Sequence, residues 1–202
     1  MEHLIIFTRY PQPGQTKTRL IPALGAVGAA QLHRQMAQKT VNTGRELIQS
    51  RSISLEVRYT GGSLSQMQNW LGEDLTYNLQ GNGDLGDRMN QSFQIGFERK
   101  LTAIIIVGTD CIDLNSDILN QAFDTLKQQD LVIGTATDGG YYLMGLRRSI
   151  PQLFQDIDWG TERVLEQTLA RCQPLNLSIG NLPPLSDIDR PEDLKDRRVR
   201  NM

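Results

Sequence analysis

The chain of 202 residues is 39% hydrophobic and 22% charged, which is enough for one domain with a sizeable buried core. Lys and Arg total 21 against 23 Asp and Glu, and this formal net charge of -2 argues against a nucleic-acid or membrane-binding surface. The two cysteines are too few for a disulfide framework, and no apolar stretch approaches the roughly 20 residues that span a bilayer. We therefore expect a cytoplasmic protein without a membrane span.

The first part of the chain predicts a strand, a loop, a helix and a second strand. Residues 4–7 are an apolar run, and the two prolines and the glycine of residues 10–14 forbid regular structure after it. From about residue 27 to residue 50, apolar side chains recur at helical spacing. Residues 53–59 alternate with period two, as in a strand with one more polar face.

The middle of the chain leads to its most apolar strand. A short helix is expected over residues 64–71, a strand at 75–79, and a glycine-rich loop over 81–89 that runs into an amphipathic helix. The dense β-branched run of residues 102–107 predicts a strand that is buried on both faces of a mainly parallel sheet.

After this strand, helical stripes and short apolar runs alternate again. Helices are expected near residues 118–126 and 164–172, a strand at 131–136, and a helix start within 187–194. Strands that alternate with helices predict a three-layer α/β/α fold with a mainly parallel sheet and helices on both faces. We expect a single domain over residues 1–202.

Several acids are expected where strands end. In open α/β sheets, ligands bind outside the carboxyl ends of the strands, so an acid at such an end points towards the ligand. Mg²⁺ often takes only one or two carboxylates together with phosphates and water. The alternative is that these acids only stabilise turns by accepting from nearby backbone amides. The acids are Asp110, Asp113, Asp138, Asp187 and Asp189.

The loop after the first strand is cationic. Gly14 allows a close approach of the backbone, and Lys17 and Arg19 stand two residues apart, a pattern that suits a polyphosphate. The loop is not a P-loop, since no second glycine stands beside the lysine. A solvated basic turn is the alternative interpretation.

The remaining reactive side chains favour no nucleophilic chemistry. His3 and His33 are far from the loops in sequence and are expected to be structural, and no Gly-x-Ser-x-Gly elbow exists. Cys111 is expected to be a small buried thiol. Tyr141 and Trp159 either stack on a base or a sugar or belong to the core.

Six motifs together resemble a family of small bacterial glycosyltransferase-like proteins. That family is grouped with the nucleotide-diphospho-sugar transferases of GT-A type, which include sugar-nucleotide glycosyltransferases and nucleotidyltransferases. The resemblance covers nearly the whole chain, in order and with similar spacing. The motifs lie at residues 7–20, 83–89, 108–110, 138–145, 159–161 and 187–194.

The resemblance implies a GT-A-like fold and roles for a few residues. The loop with Lys17 and Arg19 is similar in place to the phosphate loop of the nucleotidyltransferases. Asp110 and Asp189 resemble the two acids that bind the metal, Mg²⁺ or Mn²⁺. The sequence departs from the family at Ile112, where proline is usual, and it has no strict Asp-x-Asp, which leaves a metal role for Asp113 open.

These considerations predict a transferase that uses a nucleotide or sugar-nucleotide donor and a small-molecule acceptor. Glycosyl transfer is slightly favoured; the alternatives are nucleotidyl transfer from a nucleoside triphosphate to a phosphorylated or acidic acceptor, and a non-catalytic nucleotide-binding protein. The oligomeric state is not predicted. We assign catalysis to Asp110 and Asp138, the metal to Asp110 and Asp189, the nucleotide phosphates to Pro13, Gly14, Lys17, Arg19, Gly83 and Asp84, and the acceptor or sugar to Gly139, Gly140, Tyr141 and Trp159.

Overall fold

The computed structural model describes residues 1–195, so the last seven residues of the predicted domain, 196–202, lie outside the described residues. Seven strands and five α-helices are found in the described part. The strands are β1 Glu2–Arg9, β2 Ile53–Thr60, β3 Thr76–Leu79, β4 Ala103–Val107, β5 Leu131–Ala136, β6 Tyr141–Leu146 and β7 Ile179–Leu185. The helices are α1 Ile21–Ser50, α2 Leu64–Leu71, α3 Leu85–Glu98, α4 Ser116–Thr125 and α5 Val164–Cys172.

The strands form one sheet in the order β3-β2-β1-β4-β6-β5-β7. Strand β6 is antiparallel to both of its neighbours, and all other pairs are parallel. Side chains of β4 alternate between two cores: Ile105 packs with α1, α2 and α4, whereas Ile104 packs with α3 and α5. The predicted three-layer α/β fold with a mainly parallel sheet is therefore confirmed.

Three elements differ from the sequence expectation. Helix α1 begins at Ile21, before the predicted residue 27, and Gly25 interrupts it with a φ of 69°. Strand β6 was not predicted, because the chain turns back at two glycines into a run too short to show a period. Strand β7 was not predicted either; it contains two prolines, which are tolerated at the edge of a sheet.

A third, smaller apolar cluster lies outside the sheet. It joins the beginning of α1 to Leu20, which ends the cationic loop, to Ile112, which follows β4, and to Ile188, which follows β7. Leu20, Ile112 and Ile188 each stand within three positions of a charged residue that the sequence assigned to the site. The cluster therefore fixes the three segments that carry Lys17, Asp110 and Asp189 against one another.

The described part of the chain, residues 1–195, contains no helix that is both long and apolar enough to cross a membrane.

Candidate functional site

Four of the parallel strands, β1, β4, β5 and β7, end at the same edge of the sheet. The loop that follows each strand therefore opens onto one cleft, as expected for an open α/β sheet. The cationic loop follows β1 and Asp110 follows β4, while Asp138 follows β5 and Asp189 follows β7.

Lys17 lies at the centre of the charged part of this cleft. Its Nζ is 2.8 Å from Oδ1 of Asp110, 3.5 Å from Oδ1 of Asp189 and 2.5 Å from the carbonyl oxygen of Ile188. The Lys17 side chain is only 4% exposed, and its backbone has a φ of 49°, in the left-handed region that is uncommon for residues other than glycine. The structure thus brings together three residues that the sequence assigned to one site.

Asp189 is held from several sides. Nη1 of Arg19 donates to its Oδ2 at 2.6 Å, and its backbone amide donates to Oδ2 of Asp193 at 3.0 Å. The amide of Ile188 donates to the carbonyl oxygen of Asp110 at 2.9 Å, which ties the segment after β7 to the segment after β4. The carboxylate of Asp189 is 28% exposed and that of Asp110 is 50% exposed, so both reach the solvent of the cleft.

The cleft continues past these charges into a cavity of about 320 Å³ whose lining is of two chemical kinds. The charged lining residues, named here the acidic wall, are Asp110, Asp138, Asp187 and Asp189 together with Arg19. The apolar and aromatic lining residues, named the aromatic wall, include Leu85, Cys111, Tyr141, Tyr142, Trp159 and Val164. An adjoining space of about 540 Å³ shares Asp138 and Asp187 with this cavity and is also lined by Glu162 and Asp193.

The β5–β6 hairpin places Asp138 on the acidic wall. Oδ1 of Asp138 accepts from the amide of Gly140 at 2.9 Å, a local bond that fixes the turn. Gly139 has a φ of 90°, and a Cβ there would lie 2.2 Å from the carbonyl oxygen of Glu162. Gly139 therefore serves the close approach of the hairpin to the segment before α5, whereas Gly140 lines the cavity.

Trp159 is set in place by a glycine of α3. A Cβ on Gly86 would lie 2.4 Å from Nε1 of Trp159, so the indole ring packs directly on the helix backbone. Tyr141 meets the same ring edge to face, with 6.5 Å between centroids. Both aromatic side chains line the cavity, and both pack against the core on the α3 and α5 side. The core interpretation of the sequence is therefore confirmed, and stacking on a base or a sugar stays a prediction.

The glycine-rich loop before α3 contributes differently from the cationic loop. The carboxylate of Asp84 accepts from the amide of Asp87 at 2.9 Å and caps the helix, and Gly83 has a φ of 88°. The residue after them, Leu85, lines the cavity. Pro13 and Gly14 lie at the exposed tip of the cationic loop.

Burial and like charge act on two titratable groups of the cavity. Burial raises the pKa of Asp187, and the neighbouring carboxylate of Asp138 raises it further. Burial also raises the pKa of Cys111, and the charge of Asp110 adds to this. The thiol therefore stays neutral at physiological pH, in agreement with the expectation of a buried, unreactive cysteine.

The structure adds two residues that sequence reasoning did not place here. Arg9 and His33 line the same side of the cleft as Lys17 and Arg19. Nε2 of His33 lies 3.0 Å from the carbonyl oxygen of Arg9, so this nitrogen carries the hydrogen and donates it. Burial lowers the pKa of His33, although Asp110 acts to raise it. No sequence pattern joins α1 to this site, because the contact arises from tertiary packing.

The oxygen atoms around Lys17 fit a hard divalent cation. Two carboxylates and the carbonyl oxygen of Ile188 already converge on one positive charge. Oxygen ligands of this kind suit Mg²⁺ or Mn²⁺, which keep water and substrate oxygens in their remaining positions. Among residues 1–195, however, no three His, Cys, Asp or Glu side chains are arranged to hold a metal ion by themselves.

The chain belongs to a family described as "Uncharacterized protein conserved in bacteria (DUF2064)", whose model matches residues 40–161, more than half of the chain. No protein of curated function matches it. A structure from Desulfovibrio desulfuricans G20, described as a "putative nucleotide-diphospho-sugar transferase", has a TM-score of 0.91 and 29% identity, over 99% of this chain and 88% of that one.

More distant structures share the fold. The inositol-1-phosphate CTP transferase of T. maritima has a TM-score of 0.57 at 12% identity, over 99% of this chain and 94% of its own. Glucosyl-3-phosphoglycerate synthase of Mycobacterium tuberculosis, in complex with Mn²⁺, UDP and glucosyl-3-phosphoglycerate, has a TM-score of 0.58 at 10% identity, over 98% of this chain and 76% of its own. The neighbours thus include both sugar and nucleotidyl transferases, and the predicted GT-A-like superfamily is confirmed.

Proposed function

We propose that this member of the DUF2064 family is a transferase that uses a nucleotide-activated donor and a divalent metal. The observation that carries the proposal is the convergence of Lys17, Arg19, Asp110 and Asp189 on one cleft at the carboxyl edge of the sheet. Cationic and acidic side chains from three separate loops are the parts that a metal-chelated diphosphate requires.

The cationic loop would bind the phosphates of the donor. Arg19 is 60% exposed and offers a planar fork of donors, while Lys17 offers a point charge within the cleft. Arg9 adds a third cation on the same side. These groups stabilise the negative charge that develops on a departing diphosphate or pyrophosphate, which is the main demand of such a transfer.

Asp110 and Asp189 are the residues that would hold the metal. Support comes from the oxygen atoms that converge between them and from the shared fold of the Mn²⁺-bound synthase of Mycobacterium tuberculosis. A divalent metal supplies Lewis acidity and neutralises charge on the phosphate oxygens. The protein would fix the position of the metal, because both carboxylates lie on segments that the apolar cluster of Leu20, Ile112 and Ile188 holds together.

The acceptor would bind in the cavity beyond the metal site. We propose that Gly140, Tyr141 and Trp159 contact the acceptor or the transferred sugar and that Asp138 is the general base for the acceptor hydroxyl. Sugar rings commonly bind with one apolar face on an aromatic side chain, which suits a cavity with one aromatic and one acidic wall.

Charge around the acceptor cavity favours glycosyl over nucleotidyl transfer. The adjoining space is lined by five acids, Asp138, Glu162, Asp187, Asp189 and Asp193, against two cations, Arg19 and Arg190. This excess of negative charge disfavours a phosphorylated or acidic acceptor. Nucleotidyl transfer is the second candidate, because the cationic loop suits a triphosphate and the fold is shared with a CTP transferase.

A thermal-shift screen of sugar nucleotides and nucleoside triphosphates, each with and without Mg²⁺, tests the proposal. A ligand that binds only the native state increases the free energy of unfolding, by about 3 kcal/mol when its concentration is a hundred times its dissociation constant. The melting temperature therefore rises with ligand concentration. We expect one class of nucleotide to raise it in the presence of Mg²⁺, and expect Asp110→Ala to abolish that increase.

Turnover then separates an enzyme from a binding protein. Any nucleotide found in the screen is incubated with candidate acceptors, and released nucleoside diphosphate or pyrophosphate is measured. Release of the diphosphate indicates glycosyl transfer, whereas release of pyrophosphate indicates nucleotidyl transfer. Binding without release of either product with any acceptor would identify a nucleotide-binding protein.

A further inference from the structure

The position of Lys17 has a consequence for the order in which ligands enter the cleft. An ammonium group has three hydrogens to donate. Three oxygens lie within 3.5 Å of Nζ: one each from Asp110 and Asp189 and the carbonyl oxygen of Ile188. Lys17 therefore donates hydrogen bonds to Ile188 and Asp189 and forms an ion pair with Asp110, so its charge is neutralised by the protein itself before any ligand arrives.

We propose that Lys17 occupies the cation position between Asp110 and Asp189 in the ligand-free protein, and that the phosphates of a donor must draw it away before a divalent metal enters. This inference rests on the proposed function for the identity of the donor. The competition between the ammonium and a metal ion does not depend on the proposed function, because it concerns residues of this chain alone.

Burial and backbone geometry support this occupancy. The Lys17 side chain is 4% exposed, so water does not screen its charge from a metal ion at the same oxygens. The left-handed backbone at Lys17 and the hydrogen bond that the amide of Leu20 donates to the carbonyl oxygen of Lys17, at 2.9 Å, hold the loop in the conformation from which the ammonium reaches the acids. The flexible stem of lysine nevertheless allows the ammonium to move while the loop stays in place.

The neighbouring Arg19 explains how the phosphates reach Lys17. Arg19 is exposed and binds the other oxygen of Asp189, at the entrance of the same space. A phosphate that binds Arg19 approaches Lys17 and competes with the carboxylates for its ammonium. Once the ammonium has moved to the phosphate, Asp110 has lost its cationic partner and Asp189 keeps only Arg19, so a divalent metal would replace the lost cation. Donor and metal then bind cooperatively.

Mn²⁺ binding without nucleotide tests the inference directly. Wild-type protein and Lys17→Met are titrated with Mn²⁺ alone, and free Mn²⁺ is measured by its electron paramagnetic resonance signal. Removal of the ammonium is expected to tighten Mn²⁺ binding by about tenfold or more, within the range usual for coupled sites. Combining Lys17→Met with Asp110→Asn is expected to abolish the gain.

Arg19→Met is the matched control, because it also removes one positive charge from Asp189 but leaves the Lys17 ammonium between the two carboxylates. We expect it to tighten Mn²⁺ binding by about threefold or less, as for a largely exposed charge. Equal gains in the two variants would show a general charge effect and overturn the inference, as would no gain in Lys17→Met. If Lys17→Met does not fold, Lys17→Gln is used, with the same outcomes.

A second titration distinguishes this inference from the proposed function. Inorganic pyrophosphate, without metal, is added to wild-type protein while the melting temperature is followed. Tighter Mn²⁺ binding by Lys17→Met together with no response to pyrophosphate or to any nucleotide supports the competition and contradicts the transferase. A nucleotide response with no gain of Mn²⁺ affinity supports the transferase and contradicts the competition.

Discussion

This protein contains two groups of oppositely charged side chains that differ in their exposure to solvent. In the first, Glu56 accepts from His3, Arg58 and Asn78, and Arg58 also donates to Ser92. The side chains of Glu56 and Arg58 are 3% and 5% exposed. In the second group, which lies in the cleft, the side chain of Lys17 is buried, but the carboxylates of Asp110 and Asp189 reach solvent.

The difference between the two groups lies in which members reach solvent. The two charged side chains of the buried network, Glu56 and Arg58, are shielded from solvent, so the network fixes β1, β2 and α3 relative to one another and neither charge is open to a ligand. In the cleft, Asp110 is 50% exposed and Arg19 is 60% exposed, so each can exchange a protein partner for a ligand. A charge pair at a strand end becomes a candidate site when its outer members stay accessible.

The largest expected effect is on activity, at Asp110. Asp110→Asn removes the charge that would face the metal while keeping the shape, so turnover should fall by about 10²- to 10³-fold. Its half-exposed position limits the change in the free energy of unfolding to about 1 kcal/mol. Steady-state kinetics with the donor found in the screen, and urea unfolding, measure the two effects.

Asp117→Asn, an exposed acid on α4, is the control for the loss of one negative charge. It is expected to change neither quantity. A loss of activity in both variants, or a stability loss in Asp110→Asn large enough to account for its inactivity, would contradict the assignment.

The next largest effect is on stability, at Glu56. Glu56→Gln leaves Arg58 buried without its counter-ion, and we expect a loss of about 3 kcal/mol in the free energy of unfolding. Urea unfolding monitored by circular dichroism measures this. Glu2→Gln removes a carboxylate from a more exposed pair with Arg51 and should lose about 1 kcal/mol or less. Equal losses would mean that burial does not distinguish the two pairs.

The pH dependence of stability sharpens the same contrast. Burial acts to raise the pKa of Glu56, but the hydrogen bond from His3 and the charge of Arg58 outweigh it and lower the pKa to about 2. Because the folded-state pKa lies below the unfolded value, ionised Glu56 stabilises the protein above pH 4.5. That stabilisation is lost as the pH falls through 2. The stability difference between wild type and Glu56→Gln should therefore shrink between pH 4.5 and pH 2, and a constant difference would disprove the coupling.

The smallest expected effect concerns the aromatic wall of the cleft. Gly86→Ala brings a Cβ to 2.4 Å from Trp159, so the indole must move, at a cost of about 1–2 kcal/mol in the free energy of unfolding. We expect a change in tryptophan emission and a higher KM for the acceptor. The helical Gly28, where a Cβ would meet Leu24 at 3.1 Å, provides the comparison, and Gly28→Ala should leave both quantities unchanged.

Much of the fold could be predicted because its pattern is local. The apolar run that became β4, the period of α3 and the short helix α2 are set by residues that are near one another in sequence. The site could be located approximately for a related reason: parallel strands share an edge, so any loop after such a strand faces the same cleft. Strand β6 was missed because its direction depends on the hairpin turn and on pairing with β4 and β5 rather than on a period.

Local sequence patterns specify an α/β chain with charged and glycine-containing loops at the carboxyl ends of its strands, since hydrophobic period and turn chemistry act over a few residues. Long-range packing places Lys17 against Asp189, 172 positions away, brings His33 into the same cleft and packs Trp159 on Gly86. The first two contacts depend on how the apolar cluster of Leu20, Ile112 and Ile188 joins distant segments, and the third depends on the core between the sheet and helices α3 and α5. No short-range rule encodes such distances, because packing sets them over the whole molecule.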